Sequence, residues 1–152
     1  MAACGSADVN FANFDFDSVT ITDNYIDRGA FGEVYGPFTW NSITCALKRI
    51  WISVEKSGED FKVRVDAKRH IWTSVKHTHL IEILNVILLP KALYIVMEYA
   101  SGGSLRHLLD NLDVTAHRQM DVLNWSSQIA EGMLYLHDKN IVHRDLKSNN
   151  SE

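Results

Sequence analysis

Two apolar runs, residues 81–88 and 92–98, flank Leu89-Pro90-Lys91. Each run is short and rich in Ile, Val and Leu, bounded by a turn signal, so the pair reads as a buried β-hairpin. A buried hairpin needs further strands, and the chain upstream supplies them. Val19, Ile21, Tyr25 and Ile26 are strand formers, and residues 43–51 form another strand-like stretch. Gly36-Pro37 interrupts the strand between them. Proline offers a ladder no N–H, so an edge position or a bulge is expected there. Trp40-Asn41-Ser42 reads as the next turn.

Elsewhere the period changes. Val63, Ala67, Ile71 and Val75 recur at helical spacing over residues 61–75, after a charged loop containing Gly58. Glu59 or Asp60 starts this helix, because acidic groups suit its positive end. Residues 105–112 read as a short helix and 113–116 as a linker. A longer helix follows over residues 117–137. Its core stripe is Val122, Trp125, Ile129, Met133 and Leu136, widened by Leu123, Ala130 and Leu134.

Composition sets outer bounds. With 152 residues and 46% hydrophobic content, one domain with a real core is expected and bulk disorder is not. A formal charge of −4 argues against nucleic acid as the main partner. Cys4 and Cys45 lack metal-type spacing, which fits a reduced, cytoplasmic protein. No stretch is apolar and long enough to cross a membrane. Residues 1–17 have no basic n-region and no unbroken apolar run, so they read as a flexible lead-in rather than a signal peptide, with Phe11, Phe14 and Phe16 as candidates to pack on the first strand.

The chemistry-bearing stretch is His143-Arg144-Asp145-Leu146-Lys147-Ser148-Asn149-Asn150. A carboxylate stands two residues before a lysine and five before an amide, a spacing suited to phosphoryl transfer. Asp145 would accept or orient the proton of an attacking hydroxyl. Lys147 would hold the moving phosphate as a point charge, and Asn150 would offer an oxygen to magnesium. Upstream, Gly29 and Gly32 sit between strand-like flanks. Without a Cβ, such a hairpin lets backbone N–H groups approach phosphate oxygens. His77 and His79 have no further ligand cluster beside them and read as a turn with satisfied histidines rather than a metal site.

The His143–Asn150 stretch resembles the catalytic loop of the eukaryotic protein kinases, and Lys147 gives it the serine/threonine character. The resemblance runs from about Ser18 to Asn150. Gly29, Gly32 and Val34 match the glycine-loop pattern Gly-x-Gly-x-x-Gly-x-Val, with Asp27 in place of its first glycine. A carboxylate there repels phosphate and stiffens the turn. Cys45-Ala46-Leu47-Lys48, with the lysine sixteen residues after Gly32, is similar to the third-strand pattern Val-Ala-Ile-Lys. Phrases such as VMEYASGGSL, QIAEGMLYLH and HRDLKSNN resemble the mixed-lineage and related mitogen-activated protein kinase kinase kinases.

The resemblance implies an α+β fold. A small lobe of five antiparallel strands and one helix (18–98) leads through a hinge (99–104) into a partial helical large lobe (105–152). It implies ATP and Mg2+ as cofactors. Ile26, Val34 and Ala46 would line the adenine roof, Lys48 would contact the α- and β-phosphates, and Met97 would be the gatekeeper. Backbone groups of Glu98 and Ala100 would bond the adenine edge. Ser104 would face the ribose, cap the following helix, or do both. Kinases also pair the third-strand lysine with a helix glutamate. By pattern that place is Asp66; by counting nine residues back from His77 it is Lys68, and a two-residue insertion reconciles the two. Asp66 is one methylene short of glutamate and is expected to be a solvated helix residue rather than the partner of Lys48.

The family pattern continues with an Asp-Phe-Gly motif, an activation loop and more helices, none of which occurs in these 152 residues. The reading is therefore a serine/threonine protein kinase domain truncated just after its catalytic loop. It would act on protein Ser/Thr in a signalling cascade but be weakly active or inactive by itself. The alternative is a non-catalytic nucleotide- or kinase-binding fragment that competes with, or dimerises with, an intact kinase relative.

Overall fold

A computed structural model describes residues 25–29, 32–40, 42–52, 59–89, 91–111 and 119–151. The lead-in and the expected strand start at 18–24 lie outside the described residues. The chain divides into two compact units. One joins Met1–Val75 with Glu82–Tyr99; the other joins Lys76–Ile81 with Ala100–Glu152.

The first unit is built on a five-stranded antiparallel sheet in the order β1-β2-β3-β5-β4. Its strands are β1 (Tyr25–Gly29), β2 (Gly32–Trp40), β3 (Ile43–Trp51), β4 (Ile83–Leu89) and β5 (Ala92–Glu98). The hairpin expected from the two apolar runs is β4–β5, joined where Leu89 pairs with Ala92. Its β5 arm lies between β4 and β3, which is why Leu93 and Val96 are buried.

The Gly36-Pro37 interruption is a bulge in the ladder that β2 makes with β3. The β2–β3 ladder steps from Tyr35↔Leu47 to Phe38↔Cys45, three residues on β2 against two on β3. The extra residue falls where proline cannot donate to the ladder. Ser42 takes up φ 63° in the turn that brings Trp40 opposite Ile43.

On one side of the sheet Leu47, Cys45 and Val96, all fully buried, cluster with Tyr35 and Leu84. A second cluster joins Val86 and Leu93 to Val65 of α1 (Glu59–Ser74), with Phe61, Trp72, Ile50 and Ile83 packed around it. Here the sequence expectation needs correction. The helix exists, and it starts on acidic Glu59 and Asp60 as expected, but the stripe Val63/Ala67/Ile71 faces away from the core. Val63 is 64% exposed and Ile71 47%. The sequence holds two apolar lines at helical spacing. The one carrying the aromatics Phe61 and Trp72 buries more area, so it takes the sheet.

The second unit contains α2 (Leu105–Asn111), α3 (Gln119–Asp138) and a 3-10 turn (Ser148–Asn150). Ser104 caps α2: its Oγ accepts from the N–H of His107 at 3.2 Å. The end of α3 is fixed by Asn140 in the left-handed region (φ 58°). Its N–H donates to the His137 carbonyl, and the N–H of Ile141 donates to the Leu136 carbonyl, both at 2.8 Å. This is the two-bond Schellman pattern that satisfies the last helical carbonyls.

The α3 stripe is only partly core. Leu136 is buried and Trp125, Ile129 and Met133 are half-buried, but Val122 and the widening residues Leu123, Ala130 and Leu134 are exposed.

The 76–81 segment sits on α3. The Lys76 N–H donates to Tyr135 Oη at 3.3 Å, and the His77 and Tyr135 rings lie 4.8 Å apart. His79 Nε2 is 3.3 Å from a Glu131 carboxylate oxygen, and His77 Nδ1 accepts from the His79 N–H. Both histidines are satisfied within a turn. Among the described residues no cluster of three or more His, Cys, Asp or Glu side chains could hold a metal. Among the same residues no helix is long and apolar enough to cross a membrane.

Candidate active site

Delivered by α3, the chain leaves Asn140 and enters the 143–151 loop. Arg144 takes φ 67°, a strained value for a residue with a side chain. The His143 ring secures that bend, since its Nδ1 accepts from the Asp145 N–H at 3.3 Å. The bend sets Asp145 facing two donors that follow it in sequence. Lys147 Nζ lies 3.0 Å from Asp145 Oδ2. Asn150 Nδ2 donates to the same Oδ2 at 2.9 Å and to the Asp145 carbonyl at 2.8 Å. The far side of the loop is tied down by the Asn150 N–H and Ser151 Oγ, both donating to the Lys147 carbonyl, and by the Leu105 N–H donating to the Ser151 carbonyl at 2.6 Å.

Three residues marked out by spacing thus meet at one carboxylate. The Lys147 hydrogen bond, and then that of Asn150, holds the Asp145 carboxyl below its ordinary pKa. Both donors favour the charged form. Because its pKa is depressed in the folded chain, the ionised loop arrangement is present above the ordinary carboxylate range and is lost as pH falls through the lowered value. An NMR titration of Asp145 is expected to give a midpoint below that of an ordinary aspartate. That midpoint should rise toward the ordinary value in Lys147→Met and, less strongly, in Asn150→Ala. A midpoint unmoved by Lys147→Met would mean that the contact does not persist in solution.

Asn150 spends its amide N–H groups on Asp145, which leaves its Oδ1 as the remaining acceptor. One amide oxygen beside one carboxylate is a small donor set. It suits magnesium, which keeps waters and phosphate oxygens in its shell, better than a metal needing an all-protein cage.

In the first unit, the expected nucleotide residues share a sheet face. Val34 pairs opposite Lys48 and Ala46 opposite Met97. Alternation therefore sends all four side chains to one face. Ala46 is buried, and Val34, Lys48 and Met97 are half-buried. Ile26 on β1 is 46% exposed.

Gly29 pairs with Gly32 at the neck of the β1–β2 hairpin, and Asp27 pairs by backbone with Val34. The Asp27 side chain and residues 30–31 at the tip lie outside the described residues. Gly32 has φ 153°, and a Cβ on it would lie 2.0 Å from the Arg49 carbonyl oxygen. That close approach is the physical reason for glycine here. Asp66 is exposed, and among the described residues no ion pair joins it to Lys48.

The Glu98 N–H donates to the Glu82 carbonyl at 3.0 Å, while Glu98 Oε1 accepts from the Glu82 N–H. In the second unit, the Ala100 carbonyl accepts from the Gly103 N–H at 3.3 Å in a turn where Gly103 has φ 72°.

Sequence reasoning missed a group behind this face. Arg49, next to Lys48, pairs with Glu33, next to Gly32. An acid and a base at strand positions that pair across a ladder were the available signal.

The model of the protein kinase domain matches residues 21–151. Mitogen-activated protein kinase kinase kinase 10 of Xenopus laevis is 37% identical over 142 residues, covering 90% of this chain and 13% of that protein. The human mitogen-activated protein kinase kinase kinase 11 is 36% identical over 134 residues, 84% of this chain and 15% of its own length. Serine/threonine-protein kinase 33 of Bos taurus is 34% identical over 127 residues, 82% of this chain and 25% of its length. The chain therefore spans only a small part of the curated relatives it matches. With four motifs in order on the expected strands and loops, and a family model covering most of the sequence, this chain belongs to the protein kinase domain family.

Proposed function

We propose that this chain carries the nucleotide face and the catalytic loop of a serine/threonine protein kinase of the mitogen-activated protein kinase kinase kinase type. The observation that carries the reading is the Asp145 carboxylate held by Lys147 and Asn150. Asp145 receives the proton of a protein Ser or Thr hydroxyl as that oxygen bonds to the γ-phosphorus of ATP, while the bond from that phosphorus to the bridging oxygen breaks and ADP leaves with its electron pair. Lys147, already at Asp145, moves its charge toward the transferring phosphate. Lys48 contacts the α- and β-phosphates, with Gly29 and Gly32 offering backbone N–H groups. Ile26, Val34, Ala46 and Met97 form the apolar side of the adenine site, backbone groups of Glu98 and Ala100 its polar edge, and Ser104 the ribose contact. Asn150 Oδ1 would be a protein ligand for magnesium, which when bound would neutralise phosphate charge. A cytoplasmic setting belongs to the same reading.

The purified polypeptide of these 152 residues contains no Asp-Phe-Gly aspartate. It is expected to bind ATP with magnesium but to transfer no phosphate to a generic protein substrate above the level of its Asp145→Asn variant. Transfer that disappears in Asp145→Asn would show that another carboxylate of this chain holds the metal. A folded chain that binds no ATP would refute the nucleotide site itself.

A further inference from the structure

Behind the nucleotide face lies a clamp whose members are not themselves expected to meet ATP. Glu33 and Arg49 pair across β2 and β3, one step from the Val34↔Lys48 pair. Side chains alternate along a strand, so this pair projects from the face opposite Val34 and Lys48. Arg49 Nε donates to Glu33 Oε2 at 3.0 Å, and Arg49 Nη2 donates to the same oxygen and to Tyr35 Oη. Tyr35 Oη in turn donates to Glu33 Oε2 at 3.0 Å. The guanidinium lies over the Trp51 ring at 4.4 Å and the Tyr35 ring at 5.0 Å. Glu33 and Arg49 side chains are only 14% and 22% exposed, so water competes weakly for these bonds.

The main chain adds a second link. Gly32, which opens β2, runs so close to the Arg49 carbonyl that a Cβ would lie 2.0 Å from it. Arg49 therefore meets β2 at two points, its guanidinium bonded to Glu33 and its carbonyl packed against the backbone of Gly32. It also directly follows Lys48 on β3.

We infer that Arg49 is a positioning residue for the nucleotide phosphates: with Glu33 it fixes the glycine hairpin over β3 in register with Lys48. This rests on the nucleotide reading above. With Asp27 in place of the first loop glycine, the hairpin offers phosphate fewer approach points. Holding the remaining ones in place lowers the ordering cost of binding.

The test is calorimetric titration of the folded 152-residue chain with MgATP and, separately, with adenosine. Arg49→Ala is expected to weaken MgATP binding by about tenfold, the scale typical when a group supporting a ligand-binding residue is removed. Adenosine, which has no phosphates, should bind as before. Glu33→Gln keeps the shape, removes the charge and should move MgATP in the same direction. It serves if Arg49→Ala does not fold. Arg49→Lys should fail to rescue, because an ammonium lacks the planar fork. A parallel loss of adenosine and MgATP binding would reduce Arg49 to a structural role, and unchanged MgATP affinity in both variants would overturn the inference while leaving the nucleotide site standing. No MgATP binding by the unaltered folded chain would overturn both.

Discussion

Replacing Leu47 with alanine is expected to cost the first unit about 2–5 kcal/mol of stability, the range for emptying a filled aliphatic site. Leu47 is fully buried in the middle of β3, with Tyr35 opposite it on β2 and Val96 opposite it on β5. Its neighbours are strand side chains whose positions are set by ladders on both sides, so collapse into the vacated space is restricted. Val63→Ala on α1, at a position 64% exposed, is the matched control and should change stability by less than about 0.5 kcal/mol. Urea unfolding of the two variants checks both. Equal midpoint shifts would contradict the assignment of α1's buried face as well as the central place of Leu47.

Replacing Gly32 with alanine should be more damaging than the same change at Gly36, Gly102, Gly103 or Gly132. The added carbon would lie 2.0 Å from a backbone carbonyl oxygen at φ 153°, so neither a rotamer change nor a neighbour's side chain can relieve it. Strain of this kind costs about 1–3 kcal/mol per residue, and here β2 must also lift from β3. The expected result is faster hydrogen exchange across Gly32–Trp40 together with weakened MgATP binding. Gly102→Ala, where nothing lies within 4 Å of the new carbon, should do neither. Native-like exchange in Gly32→Ala would show that the β2–β3 approach is looser in solution.

Much of the first unit was legible because strands announce themselves by short apolar runs and punctuation. Residues 43–51 and 92–98 were read as strands, and β3 and β5 have those bounds. The Gly36-Pro37 break was legible as a backbone defect, but that it is a bulge depends on the β2–β3 register, which a linear sequence does not display. The buried face of α1 was not legible for a related reason. Two apolar lines ran along one helix, and only the partner surface of Val86 and Leu93 decides between them. At the catalytic loop, spacing marked Asp145, Lys147 and Asn150. Their convergence on one carboxylate depends on the left-handed Arg144 and the His143 hydrogen bond, a backbone event without a composition signature. The Glu33–Arg49 clamp was missed because its two members are sixteen residues apart, and only the bulged β2–β3 register brings them together.

The placement of Lys76–Ile81 with the second unit has a consequence for dissecting the molecule. These six residues lie in sequence between α1 and β4, both of the first unit, yet they dock on Glu131, Gly132 and Tyr135 of α3. The first unit is therefore written in two pieces, and no single cut separates the units cleanly. A fragment ending at Tyr99 would carry the loop without its seat, with Leu80 uncovered, His79 parted from Glu131 and His77 from Tyr135. A fragment beginning at Ala100 would leave Gly132 facing an empty notch. A separable first unit calls instead for a short designed linker in place of the loop, joining Val75 directly to Glu82.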